Sequence, residues 1–307
     1  EISLGLVGSE MCIRDSFFDT GITWSNSLNV AQMLDKSSYS ISLGNTHQDG
    51  IISSTGMDRY NVKVSADTKL TNNWSSGFTA NYITTSIDKA VTSGNGLLRT
   101  VYAAPPSYDL AGIPSHVDGN QYTQNSFRGS FDNAYWAMEN NKFTEDTNRF
   151  FGNVYASYQT DFGTTNHKLN AKYMVGVDAY TTHYVDSYGY GSNTGGGRGQ
   201  IENYGWTNAT YNSLLTINYD WHINEDWGLN AVVGNEIIQS NRKKYYEYGT
   251  NYNFPGWNHI NNATTQQTEE ETWKNRTVGF FGNVSASYRN MPVSYTHLRA
   301  HETEADL

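Results

Sequence analysis

The side chains best placed to do chemistry in this chain are aromatic. Tyr numbers 23, Phe 12 and Trp 8 in 307 residues. Outside the stretches with a regular rhythm they gather in three segments. The first, 89–146, holds Tyr102, Tyr108, Tyr122, Phe127, Phe131, Tyr135 and Trp136. The second, 187–205, holds Tyr188, Tyr190 and Tyr204, with Trp206 just beyond it. The third, 249–274, holds Tyr252, Phe254 and Trp257. Aromatic rings combine an apolar face with a polar handle and stack on the apolar faces of sugars. The abundant Asn and Asp can hydrogen-bond hydroxyls. Tyr102, Tyr108, Trp136, Tyr204, Trp206 and Trp257 are therefore the candidate ligand contacts. The plainer alternative is that these rings pack the loops on one another or on a covering protein.

Other chemistry is weakly marked. His47, His116, His167, His183, His222 and His259 show no metal-ligand spacing, so no metal site is expected. Gly195-Gly196-Gly197-Arg198-Gly199 lacks the Lys-Ser/Thr and the strand-to-helix setting of a phosphate loop, and reads as a flexible loop. Glu269-Glu270-Glu271 reads as a solvated charge run rather than a cation site. A glycoside hydrolase needs two carboxylates about 5–10 Å apart across a cleft. Acids are plentiful, but no pair is singled out by spacing. No catalytic residue and no cofactor are assigned, and the chain reads as a non-enzyme.

Composition narrows the class of protein that could carry these residues. Lys+Arg number 20 and Asp+Glu 30, for a formal net charge of −10. That balance, with no basic stripe, argues against nucleic-acid binding. Aromatics make up 14% and charged residues 16%, which argues against disorder. The longest apolar run is far shorter than the roughly 18–20 residues of a membrane helix. Mean hydropathy is −0.63, yet large apolar residues recur throughout. A secreted β-protein and an outer-membrane β-barrel both satisfy this combination, because alternation hides apolar residues from the average.

Alternation is the rule between residues 20 and 289. Val62, Val64 and Ala66 share one strand face. So do Leu169, Ala171, Tyr173, Val175 and Val177, with Lys168, Asn170 and Lys172 opposite. Tyr211, Ser213, Leu215, Ile217, Tyr219 and Trp221 form a third set. Period two marks half-buried strands. Nine are expected, at 20–32, 37–47, 58–71, 74–88, 147–160, 167–186, 206–221, 227–248 and 275–289. No stretch has the spacing of an amphipathic helix. Short and long connections alternate, as in an antiparallel up-and-down meander whose two ends face different compartments. Trp74, Phe162, Trp221 and Trp227 each lie beside a short turn, which suggests a girdle where a barrel wall meets lipid headgroups. The ten residues 149–158, containing Phe-Phe-Gly-Asn-Val, return at 279–288, and mark two equivalent strands of one wall.

The ends lack this rhythm. Residues 1–16 and 293–307 resemble peptides produced when sequencing-adapter or vector sequence is translated. They are read as foreign, which removes Cys12, His297 and His301 from consideration. Single-chain bacterial barrels have an even number of strands. Nine strands in 17–292 therefore read as an internal piece of a larger barrel, forming an open or partly closed curved sheet.

Certain stretches resemble one family. These are Thr20-Gly21-Ile22-Thr23 leading into Asn26-Ser27-Leu28-Asn29-Val30, Tyr39-Ser40-Ile41-Ser42-Leu43-Gly44, Gln48-Asp49-Gly50-Ile51 and Tyr60-Asn61-Val62. Ala104-Pro105-Pro106-Ser107-Tyr108-Asp109-Leu110 and Phe151-Gly152-Asn153-Val154-Tyr155-Ala156 follow. Their order and spacing resemble the SusC/RagA family of TonB-linked outer-membrane transporters. The resemblance implies a plugged barrel of about 22 strands in the Gram-negative outer membrane, importing oligosaccharides or peptides. It also implies a SusD-like lipoprotein lid, and a TonB complex that acts through a plug upstream of this segment. The other readings are a secreted or surface carbohydrate-binding β-protein, a glycoside hydrolase and a passive porin.

Overall fold

A computed structural model describes residues 17–91, 96–105 and 108–289, and the backbone of 291–299 and 303–306. Nine long strands form one antiparallel meander that does not close into a barrel. They are β1 (Thr23–Met33), β2 (Ser37–Asp49), β3 (Gly56–Lys69), β4 (Trp74–Asp88), β7 (Lys142–Thr160), β8 (His167–Tyr188), β9 (Gln200–His222), β10 (Trp227–Tyr252) and β11 (Ala263–Tyr288). The segment between β4 and β7 adds helix α1 (Leu97–Ala103), the small hairpin β5 (His116–Val117) and β6 (Asn120–Gln124), and helix α2 (Ala134–Asn140). A 3-10 turn, Ile260–Asn262, precedes β11.

The register places the expected faces as the alternation predicts. Ile41, Val64, Ala80, Gly152, Val177 and Tyr211 are successive partners along one row. The adjacent row, on the opposite face, runs Ser42, Lys63, Asn81, Phe151, Asp178, Thr210, Ser240 and Asn275. One face is thus apolar and the other largely polar through the part of the sheet nearer the short turns. The repeated Phe-Phe-Gly-Asn-Val stretches obey the same parity. Val154 pairs through Val175 with Ser213, and Val284 pairs with Ala231, so both valines fall on the apolar face.

Short-turn side chains make the meander reverse. Thr71 Oγ1 accepts from the N–H groups of Asn73 and Trp74. Asp161 Oδ1 accepts from Gly163 N–H, and Asn224 Oδ1 from those of Asp226 and Trp227. Such side-chain acceptors mimic a backbone turn.

Three expectations are corrected. The outer connections are shorter than read, at 89–141, 189–199 and 253–262, because β7, β9, β10 and β11 continue past the apolar rhythm. Glu269-Glu270-Glu271 lies inside β11, where Glu270 pairs with Lys243 at 3.0 Å and Glu271 faces Lys244 at 3.9 Å. Two helices occur where none was expected; each has only seven residues, too few for the spacing to register. Beyond β11, β12 (Met291–Arg299) pairs with residues 281–288 and β13 (Thr303–Asp306) with 275–278. An unpaired edge offers backbone groups to whatever chain follows it, independent of side chains. Residues 1–16 lie outside the described residues.

The buried core is not in the sheet. Phe17, Ile52, Leu97, Val101, Leu110, Ala134, Trp136 and Ala137 form it, bringing both helices of the 89–141 segment against residues from the two preceding ends. A smaller cluster of Ile201, Tyr252 and Ala263 closes the upper end of β9–β11.

Candidate functional site

The apolar face of the sheet is bare. Leu28, Val30, Leu43, Val62, Phe78, Val154, Val175, Leu215, Val233 and Val284 all stand exposed on it; Val30 reaches 60% and Val154 52%. Trp74, Trp221 and Trp227 share that face beside the short turns, and Phe162 occupies the 161–166 turn at φ +56°. All four rings are exposed. Each tryptophan has an aromatic companion: Trp74 with Tyr158 at 5.0 Å, Trp227 with Tyr288 at 5.1 Å, and Trp221 stacked on His167 at 5.7 Å. The three tryptophans of the expected girdle therefore lie at one end of the sheet and on one face, with Phe162 in an adjoining turn.

The polar face carries a different aromatic set near its far end. Tyr184 of β8 and Tyr204 of β9 are directly paired in register, and their rings stack at 4.8 Å with planes 5° apart. Trp206 lies 5.6 Å from Tyr184, and Tyr246 of β10 lies 6.5 Å from Tyr204. Lys89 Nζ sits 4.5 Å over the Tyr184 ring and ion-pairs with Glu145 at 3.5 Å. Tyr204 donates to Asp186 at 3.1 Å. These positions are about 17 or more residues from the short turns, beyond the 9–11 that cross a bilayer. Burial, then the charge of Asp186, pushes the Tyr204 phenol up. Burial and Glu145 do the same to Tyr184, and burial and Glu202 to Tyr246. The Tyr204 phenol serves as a donor to Asp186.

Of the six candidate contacts, only Tyr204 and Trp206 meet in this cluster. Tyr184, Tyr246, Arg242 and Trp273 belong with them and were not singled out, because sequence does not reveal which strand positions face one another. Tyr102 is exposed on α1. Tyr108 is half-buried, edge-on to Phe127 at 4.9 Å. Trp257 is exposed at the tip of the β10–β11 hairpin, stacked between Phe254 at 5.8 Å and His259 at 5.0 Å. Trp136 is fully buried, and its Nε1 donates to the Gln121 carbonyl at 2.8 Å. It packs the loop, so it is not a contact surface. Asn133 caps the start of α2, which delivers that ring to the core.

The long loops are tied to one another. Asp132 accepts from Gln124 Nε2 at 2.8 Å, Ser192 Oγ at 2.6 Å and Asn193 N–H at 2.7 Å, joining segment 89–141 to 189–199. Asn258 Nδ2 donates to the Asn140 carbonyl at 2.9 Å, adding the third loop. The glycine run is a turn rather than a phosphate cradle. Gly199, at φ +74°, lies directly against the Tyr252 ring, where a side chain would collide. Three of the histidines have side-chain partners close by: His47 with Asp58 at 2.7 Å, His167 with Tyr219 at 2.7 Å, His183 with Tyr245 at 2.6 Å. Among the described residues no three metal-ligating side chains gather.

A long antiparallel meander with one bare apolar face, a polar opposite face and tied loops at one end defines the class by fold: an open section of β-barrel wall. Solved structures agree. The RagAB peptide importer in its "closed-closed" state matches at TM-score 0.73 and 16% identity, over 90% of this chain and 31% of that one. Its "open-open" state matches at 0.73 and 15%, over 90% and 31%. The RagAB peptide transporter matches at 0.72 and 15%, over 91% and 31%. The chain thus has the fold of part of a RagAB-type barrel, consistent with the resemblance read from its motifs, and spans about a third of those chains' length. No family model and no curated protein matches it.

Proposed function

We propose that this chain is a section of wall from an outer-membrane nutrient importer of the SusC/RagA type. The carrying observation is the continuous apolar face, bounded at one end by Trp74, Phe162, Trp221 and Trp227. Water would penalise such a surface, whereas hydrocarbon would accept it. On this reading the four rings are the headgroup girdle, and lipid is the first partner. The polar face, with its aromatic–acid cluster, and the tied loops above it receive the ligand. That ligand is an oligosaccharide or a peptide, the latter being what the RagAB structures are named for. A SusD-like lipoprotein would cover the loops, and TonB would act through a plug region of the whole protein.

Cysteine labelling tests the wall. Cysteines at Val62, Val64, Leu169, Ala171, Leu215 and Ile217 should react with a membrane-soluble maleimide in the outer membrane. Those at Lys63 and Asn170 should react only with a water-borne reagent. Equal labelling of the two sets rules out the barrel wall, and with it the importer.

A further inference from the structure

Arg242 lies on the polar face of β10, level with Asn208 of β9 and Trp273 of β11. Its guanidinium carbon is 5.2 Å from the Trp206 ring centre and 5.7 Å from that of Trp273. Two indoles on neighbouring strands therefore flank one cation. Among the described residues the guanidinium has no carboxylate or carbonyl partner. Nearby cations on the same face differ. Arg149 grips Asp178, with Nε donating at 2.8 Å. Lys244 faces Glu271, and Lys89 faces Glu145. Local anions are also engaged, as Asp186 is by Tyr204. Arg242 is thus an exposed cation flanked by two indole rings, with its hydrogen-bonding capacity unused.

A guanidinium presents five N–H donors in a planar fork that matches a carboxylate bidentately. Contact with ring faces fixes its position without consuming those donors. Holding the side chain beforehand lowers the ordering cost of binding.

We propose that Arg242, clamped by Trp206 and Trp273, receives a carboxylate of the transported ligand. This rests on reading the sheet as an importer wall. Two sources supply the group: the C-terminus of a peptide and a uronic acid of an oligosaccharide.

The test uses the whole protein purified from outer membranes in detergent, with binding followed by calorimetry and tryptophan fluorescence. The probes are trialanine against trialaninamide, and trigalacturonate against its methyl ester. In the native protein one acid should bind about tenfold or more tightly than its neutral counterpart, the scale of a charge-assisted bidentate contact. The first pair identifies a peptide source and the second a uronate. Arg242→Gln should abolish that preference by weakening the acid. Trp273→Leu keeps the charge and opens the clamp, and should weaken the acid more than its neutral counterpart. Absence of an acid preference in both pairs overturns the proposal. So does a preference that survives Arg242→Gln, or equal weakening of acid and neutral probes by Trp273→Leu. Intact face-selective cysteine labelling beside such a result removes this proposal and leaves the importer standing; failed labelling removes both.

Discussion

Tyr252 ties the fold at the outer end of the wall to a narrow chemical condition. Its ring is fully buried between Gly199 and the Ile201 cluster, at the upper end of β10. Burial pushes its phenol from 10.0 up to about 12. The sign follows from proton linkage. The unfolded phenol loses its proton above about pH 10, while the folded one keeps it to about 12, so the unfolded state binds fewer protons in that window. Stability from this group is complete below pH 10 and declines as pH rises from 10 to 12, by at most roughly 2–3 kcal/mol. A protease-protection titration of the 189–199 and 253–262 loops from pH 9 to 12 should show an alkaline loss of protection. Tyr252→Phe should reduce that loss. A titration unchanged by the substitution would remove Tyr252 as its source.

At the scale of elements, the 89–141 segment behaves as a small folded module on the rim of the sheet. Its core joins α1 and α2 to Phe17 and Ile52, and Asp132 fastens it to the neighbouring loop. Trp136 is the largest fully buried side chain in it. Trp136→Ala should cost the module about 3–5 kcal/mol, the usual penalty for truncating a buried tryptophan. Hydrogen exchange should accelerate in α1, α2 and the 189–199 loop, while β8–β10 stay protected. Acceleration throughout the sheet would mean that the module and the wall fold as one unit.

For the whole molecule, the decisive property is that its two faces need different surroundings. Leu215 lies on the apolar face of β9, about midway along the proposed membrane band, and Thr216 beside it faces the other way. Lys at an outward mid-bilayer position of a barrel costs about 2–4 kcal/mol. Leu215→Lys should lower the denaturant midpoint of the protein in lipid vesicles, and Thr216→Lys should leave it nearly unchanged. Equal effects would place the membrane elsewhere.

How much of this was legible before any coordinates depended on local repetition. Nine strands, their faces and the level of Trp74, Trp221 and Trp227 could be read, because a sheet with one apolar face writes period two into every strand. Leu169 to Val177 is enough to set the parity of β8 by itself. The rhythm stops where both faces are polar. For that reason 263–274, rich in Thr, Gln and Glu, read as loop although it is the outer half of β11. Helices of seven residues are too short to declare a period. Trp136 and Trp257 occur in similar polar, aromatic-rich segments, yet one is buried and the other exposed. Only the approach of Phe17 and Ile52, distant in sequence, decides between them. Likewise Tyr184, Tyr204, Trp206, Arg242 and Trp273 become neighbours solely through inter-strand register. Periodicity is a property of consecutive residues and so is carried by the chain itself. Register, loop closure and the pairing of charges across strands are set by non-local contacts, and these exist only once the sheet is assembled.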